Sequence, residues 1–406
     1  MTLPARRVAV TGVGAICALG HDAPRMWAAL CDGRSGIAAI ASVDVSGLRF
    51  QNGAEVKGLD PAEHFDPART DLLDRFAQFA VIAAREAVRD SALELTPELR
   101  ERTAVYTGSS LGGQTTQDAA FVELYQRKSG RVHPLSIPRS MANAGASQIS
   151  MDFGVTGPCC TFSTACSSAN HAIGQAFWMV RGGAVDLAIA GGSEAPFSPG
   201  HLKAWEAMRI VDPDTCRPFS RDRRGLILGE GGAMLLLEPL EAARARGARI
   251  HAEISGFGMS SDAHHVTQPT VAGPARAMRG ALSDAELFPE QVGYINAHGT
   301  GTRGNDSAEA HAIREVFGAH ADRLAVSSTK SMHGHALGAA GALEAVATVL
   351  ALKNGILPPT VNFTTPDPDC ELDVVPDRAR IARPEAALSN SFAFGGLNAV
   401  LAFRAT

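Results

Sequence analysis

Nine short apolar runs constrain this chain more than any other feature. They are VAVTGVG (8–14), TAVYTGS (103–109), CTFSTA (160–165), DLAIAGG (186–192), AMLLLEP (233–239), HAEISGFG (251–258), VGYINAHG (292–299), LAVSSTK (324–330) and NAVLAFR (398–404). Each is continuous rather than alternating, and each borders Gly, Ser or Thr, the pattern of strands buried on both faces. Helical patterns lie between them at 72–90, 168–181, 272–285, 303–317 and 337–353, and two end near Gly, at Arg181-Gly182 and Asn354-Gly355. Strands alternating with helices imply an α/β fold. Each half opens with a Gly-rich strand and later runs a strand into an Ala- and Gly-rich helix. The first such junction carries Cys166 and the second carries Lys330 and His335. That order predicts an internal duplication, residues 1–250 and 251–406, with a site between the halves.

Composition removes several classes of function. A net charge of −5 argues against a general polyanion-binding surface, so no nucleic-acid partner is expected. The seven Cys, at 17, 31, 159, 160, 166, 216 and 370, are odd in number and contain no CxxC pair. They point to a reducing cytoplasm rather than a disulfide framework or a structural zinc site. MTLPARRVAVTGVGAICALG sets two Arg before an apolar run, yet that run is Gly-broken and β-rich, which makes it a first core strand rather than a leader. No uncharged apolar stretch reaches membrane-spanning length, so no span is expected. Charged residues make up only 19%, which suggests that a partner subunit covers part of the surface.

Four motifs carry chemistry. FSTACSSANHAIGQAF (162–177) puts Cys166 where a strand yields to an Ala-rich helix, whose free N–H groups and dipole favour thiolate. YINAHGTGTRGNDSAE (294–309) ends a strand at His298, before a turn in which Gly299 and Gly301 allow close backbone approach and Thr300 and Thr302 offer hydroxyls. SSTKSMHGHALGAAGALEA (327–345) sets Lys330, His333 and His335 before a small-residue helix. His333 and His335 could suggest a metal pair, but no third ligand is nominated and no metal is expected. Glu344 on that helix is either on a solvated face or a buried partner of Lys330. SNSFAFGGLNAVLAF (389–403) places Phe394 before Gly395-Gly396, a turn able to present a backbone N–H to an oxyanion. Each has a bland counterpart: Cys166 a structural thiol, His298 a satisfied strand-end His, the Phe394 turn an ordinary Gly turn. Gly12-x-Gly14 lacks the third Gly of a dinucleotide fingerprint, since Cys17 stands there. No GxxxxGK[ST] phosphate loop is present.

In this order the motifs are specific. TACSSA, NAHGTGT, TKSxxGHxxGAAG and SFxFGGxNA resemble the β-ketoacyl-acyl-carrier-protein synthases, the elongating condensing enzymes of fatty acid and type II polyketide synthesis, over essentially the whole chain. LKAWEAMR (202–209), PDTCRPFS (213–220) and DPDCELDV (367–374) look like the nodulation-type branch, whose members tend to build unusual, often unsaturated, acyl chains. The resemblance implies a thiolase-like layered αβαβα fold. It implies that Cys166 takes an acyl group as a thioester and that His298 and His335 promote malonyl decarboxylation and steady the enolate. It also implies an oxyanion hole from the N–H groups of Cys166 and Phe394, with Phe394 a moving gate. Lys330, Glu344, Asp306 and Glu309 match the supporting charged network. Thr300 and Thr302 match the contacts of the pantetheine arm, and Leu111 and Trp205 match the acyl tunnel, Trp205 replacing a smaller aromatic.

The implied partners are an acyl carrier protein and a second subunit, identical or related. No resident cofactor is implied, because substrates arrive on the carrier's phosphopantetheine. Arg69, Arg131 and Arg209 are candidates for docking the acidic carrier. Departures touch the gate: Ala393 stands where the family usually has Gly, and Leu397 where it has Thr. The segment HFDPARTDLLDR (64–75) is less basic than the usual docking surface. Two other readings exist. A non-catalytic chain-length-determining partner would lack the nucleophilic Cys. A thiolase would carry a second Cys near the C-terminus, where this chain has FAFGGLN. The chemistry agrees with the first reading, because a Claisen condensation needs a nucleophile that also leaves well and neutral donors aimed at an enolate oxygen.

Overall fold

A computed structural model describes residues 5–406. Ten strands form the main sheet: β1 (Val8–Cys17), β2 (Thr103–Gly108), β3 (Cys159–Phe162), β4 (Leu187–Glu194), β5 (Gly231–Pro239), β6 (Ala252–Ser261), β7 (Val292–Asn296), β8 (Ala325–Ser327), β9 (Ala386–Ala393) and β10 (Leu397–Arg404). Their order is β8-β7-β9-β10-β6-β1-β5-β4-β2-β3. Counted within its own half, each set of five runs third, second, fourth, fifth, first, so the halves share one topology. They meet where β1 and β6 pair antiparallel through Val8–Ile254, Ala9–Glu253 and Val10–Ala252.

Helices α1 (Arg75–Asp90) and α2 (Ala144–Phe153) cover the outer face of the first half, and α4 (Ala272–Asp284) and α5 (Arg303–Phe317) that of the second. Between the halves lie α3 (Ser168–Arg181) and α6 (Ala340–Asn354), each touching strands of both and each other. The result is the thiolase-like αβαβα layering. The stretch Leu337–Asn354, which ends in α6, is long and apolar enough to cross a membrane but is 89% buried inside the fold. A helix apolar all round belongs in a core of this kind. Gly12 and Gly14 serve packing: a Cβ at either would lie 2.0–2.1 Å from a carbonyl oxygen of α1, at Ala87 and Ala83. The Gly12-x-Gly14 pattern therefore brings a strand against a helix.

Three details differ from the sequence reading. The run 160–165 yields only the edge strand β3, and its Cys159 and Cys160 are exposed rather than buried, because no strand among the described residues covers that edge. β9 is a full strand where only a Gly turn was expected. LKAWEAM lies on a helix, Pro199–Met208, outside the expected helical segments.

Candidate active site

The two strand-to-helix junctions converge between the halves. Cys166 occupies one 3-10 turn, Ala165–Ser167, just before α3. Ala165 takes φ 51°, and Leu337, two residues past His335, takes φ 47°. Left-handed backbone at non-Gly residues costs of order 1–3 kcal/mol and persists only where the surroundings impose it. His298 lies two residues beyond β7 and His335 follows the short helix Lys330–His333. His335 is held by its own backbone, its N–H donating to Ile227 O (2.7 Å) and its O accepting from Gly229 N (2.9 Å). One ring nitrogen of each His and the Cys166 sulfur lie within 4.8 Å of one another, and all three residues are buried.

Hydrogen-bond partners fix the tautomers. Lys330 Nζ, which carries only hydrogens, donates to His298 O (2.5 Å) and approaches His298 Nδ1 (3.3 Å), so that nitrogen accepts. The backbone N–H of Leu337 donates to His335 Nδ1 (3.3 Å). In both rings the proton therefore sits on Nε2. Burial, reinforced by Lys330, holds both rings well below the usual His value, so they are neutral at physiological pH. The site thus presents two neutral N–H donors beside the sulfur, suited to an enolate or carboxylate oxygen. Those hydrogens occupy the nitrogens that a metal would need. His333 is satisfied elsewhere, with Nδ1 on Gly334 O (2.8 Å) and Nε2 on Thr329 Oγ1 (3.0 Å).

The charged support is buried. Lys330 donates to Glu344 Oε1, and neither side chain is exposed, so the partnered reading of Glu344 is the observed one. Glu309 accepts from His298 N and Gly299 N (both 2.8 Å) and from Asn390 Nδ2 (3.1 Å). Asp306 accepts from Phe219 N (2.8 Å) and Gly301 N (3.2 Å). Together the two carboxylates on α5 clamp the turn that bears His298. Burial raises Glu309 and Glu344 to about 7.

Cys166 corrects one expectation. Burial pushes its thiol up to about 11, against the opposing pulls of Lys330 and of the backbone N–H groups of Phe394 and Cys166 itself. Full burial outweighs the helix terminus, so the resting group is a thiol and the proton must leave during attack. The two N–H groups that act on the sulfur are those named for the oxyanion hole.

A cavity of about 480 Å³ runs from Cys166 and His335 past Thr300, Thr302, Trp205 and Phe394 to a mouth bearing Arg209, His265 and Arg303. The two Thr hydroxyls pair at 2.8 Å. Leu111 is not on the cavity wall but packs in the same apolar cluster as Trp205 and Phe394. The Phe394 turn, with Gly395 at φ 82° and Gly396 at φ 70°, is strapped to a loop by Gly395 N to Val266 O and Asp262 N to Gly396 O (both 2.8 Å). Of the docking candidates, Arg209 is exposed at the mouth and Arg131 lies exposed in a loop. Arg69 is ion-paired with Asp152 (2.5 Å), which also holds Arg85, so little of its charge is free.

Sequence reasoning missed Glu194. Fully buried at the end of β4, it accepts from Ser109 Oγ (2.9 Å), Ser110 N (2.6 Å) and Gly338 N (3.0 Å), tying the turn after β2 to the segment behind His335. A single acid closing an otherwise apolar strand was the available signal.

Comparison with known proteins agrees with this geometry. The Beta-ketoacyl synthase N-terminal domain model matches residues 5–243, and the C-terminal domain model matches 251–364. The chain is 49% identical to Nodulation protein E of Rhizobium sp. (strain N33), over 98% of this chain and 99% of that one. It is 40% identical to 3-oxoacyl-[acyl-carrier-protein] synthase 2 of Staphylococcus aureus (strain COL), over 98% of each. The solved ishigamide ketosynthase/chain length factor superimposes with a TM-score of 0.93 at 39% identity, over 99% of this chain and 100% of that one. A buried Cys facing two neutral His, on a duplicated α/β frame matched by both domain models, places the chain in the β-ketoacyl synthase family.

Proposed function

We propose that this chain is an elongating β-ketoacyl-acyl-carrier-protein synthase in which Cys166 carries the growing chain. The observation that carries the reading is the pair of neutral Nε2–H donors of His298 and His335 beside the Cys166 sulfur. In the first half-reaction the Cys166 sulfur attacks the acyl thioester of the carrier, and its proton ends on the departing carrier sulfur. The oxyanion is held by the N–H groups of Cys166 and Phe394, and the carrier's thiol leaves. In the second, malonyl thioester loses carbon dioxide and its enolate oxygen is held by the two His N–H groups. The carbanion then attacks the Cys166 thioester; a carbon–carbon bond forms and the Cys166 sulfur leaves. No electron acceptor is needed, and substrates bring their own phosphopantetheine, so the reading requires no resident cofactor or metal.

Thr300 and Thr302 would contact the pantetheine arm, and Trp205, with Leu111 behind it, would bound the acyl end. Arg209 and Arg131 are the stronger docking candidates for the acidic carrier, and Arg69 the weaker. The open edge of β3 and the exposed apolar side chains of Phe121, Tyr125, Leu135 and Ile137 support a like or related subunit. Seven free cysteines, two of them exposed, support a reducing cytoplasm. The reading as a non-catalytic chain-length partner is disfavoured by the intact Cys and His set.

Incubation with an acyl-carrier thioester should give a single acyl adduct by intact mass, absent from Cys166→Ala. An unmodified wild type, or an undiminished adduct on the variant, defeats the reading.

A further inference from the structure

One group on the cavity wall has no part in the chemistry above. Trp205 is buried, and its indole lies 6.3 Å from the Phe394 ring at an interplanar angle of 26°, a stacked pair. Its Nε1–H donates to His201 Nε2 (2.7 Å), one turn back on the helix Pro199–Met208. The rings of His201 and Trp205 meet edge to face, 6.0 Å apart. An indole nitrogen only donates, so His201 must be neutral with its proton on Nδ1. Burial holds it so, lowering His201 to about 4. Trp205 is thereby fixed in rotation, with one face against the residue that borders the Cys166 thiol.

We infer that Trp205, oriented by His201, is the seat against which Phe394 closes, and that this pair sets how readily the site opens to an acyl group. This rests on the ketosynthase reading for the identity of what enters, but the contact itself does not depend on it. Phe394 has two anchors. Its turn is strapped by backbone hydrogen bonds to the loop at 262–266, and its ring has one aromatic neighbour, Trp205. Opening must break the ring contact, so orientation of the indole is a term in the opening equilibrium. His201 touches neither the sulfur nor either catalytic His and acts as a positioning residue.

Alkylation of Cys166 by iodoacetamide, followed at its own peptide by mass spectrometry, reads the opening directly and needs no acyl carrier. His201→Leu should raise the rate about five-fold, the worth of one part-buried hydrogen bond. Trp205→Ala should raise it further. Trp205→Phe keeps an aromatic face and removes the N–H. It should match His201→Leu, and adding His201→Leu to Trp205→Phe should change nothing more. An unchanged rate in His201→Leu, or independent effects in the double variant, overturns the proposal. Melting temperatures taken alongside separate a loosened gate from a loosened fold. Failure of the wild type to form an acyl adduct would count against the ketosynthase reading alone, since the alkylation result stands without it.

Discussion

Replacing His335 with Ala is expected to slow malonyl decarboxylation about 10²–10³-fold, the usual effect of removing one preorganised donor to a developing oxyanion. Uptake of an acyl group by Cys166 should persist at a much smaller deficit. His298→Ala should behave alike. The separation follows from geometry: acylation develops charge on an oxygen facing the N–H groups of Cys166 and Phe394, whereas decarboxylation develops it facing the two imidazoles. Decarboxylation is measured as carbon dioxide release, and acylation as intact mass on the same preparations. Equal loss of both steps would contradict the assigned roles. The pH profile supplies a second check. Burial first and Lys330 next depress both His well below 6.5, so neutral rings prevail throughout the physiological range. Wild-type decarboxylation should therefore show no acid-side inflection near the ordinary His value; an inflection there would mean that one ring titrates freely.

The sequence reading reached far because the informative residues sit at ends of continuous apolar runs. A strand that is apolar throughout has nowhere to place Cys166, His298 or Lys330 except beyond its last turn, so motif and junction coincide. The duplication was visible for the same reason, and the matching strand order of the halves is its structural form. What escaped depends on burial of polar groups, which local pattern does not encode. β9 reads as a loop because Ser389, Asn390 and Ser391 interrupt its apolar character, yet all three are buried and Asn390 serves Glu309. Glu194 escaped likewise, being a surface residue by type and a buried clamp in fact. The thiolate expectation for Cys166 failed in the opposite sense: the helix terminus was legible, but the desolvation that outweighs it is a property of the assembled halves. Arg69 looked free because Asp152, its partner, is distant in sequence.

Lys330 and Glu344 offer the sharpest test of what burial means here. Neither side chain is exposed, and among the described residues each forms an ion pair with the other alone. Lys330→Met leaves a carboxylate in the core without its cation, and Glu344→Leu leaves an ammonium without its anion. Either should lower the unfolding free energy by about 3–5 kcal/mol. The double replacement removes both charges together, so it should regain most of that loss in denaturant unfolding. Summed losses in the double variant would show that the pair is not the unit of stability. Activity should follow a different course. Without Lys330, nothing identified in the site donates to His298 Nδ1, so the ring can place its proton there and turn a bare Nε2 toward the enolate. The repulsion that helped to depress both His also disappears, so their protonation moves up toward the ordinary value and decarboxylation should acquire an acid limb. The double variant is thus expected to be stable but still poor at decarboxylation. If stability and decarboxylation return together, the pair only holds the fold; if stability alone returns, Lys330 is the residue that gives His298 its proton on the useful side.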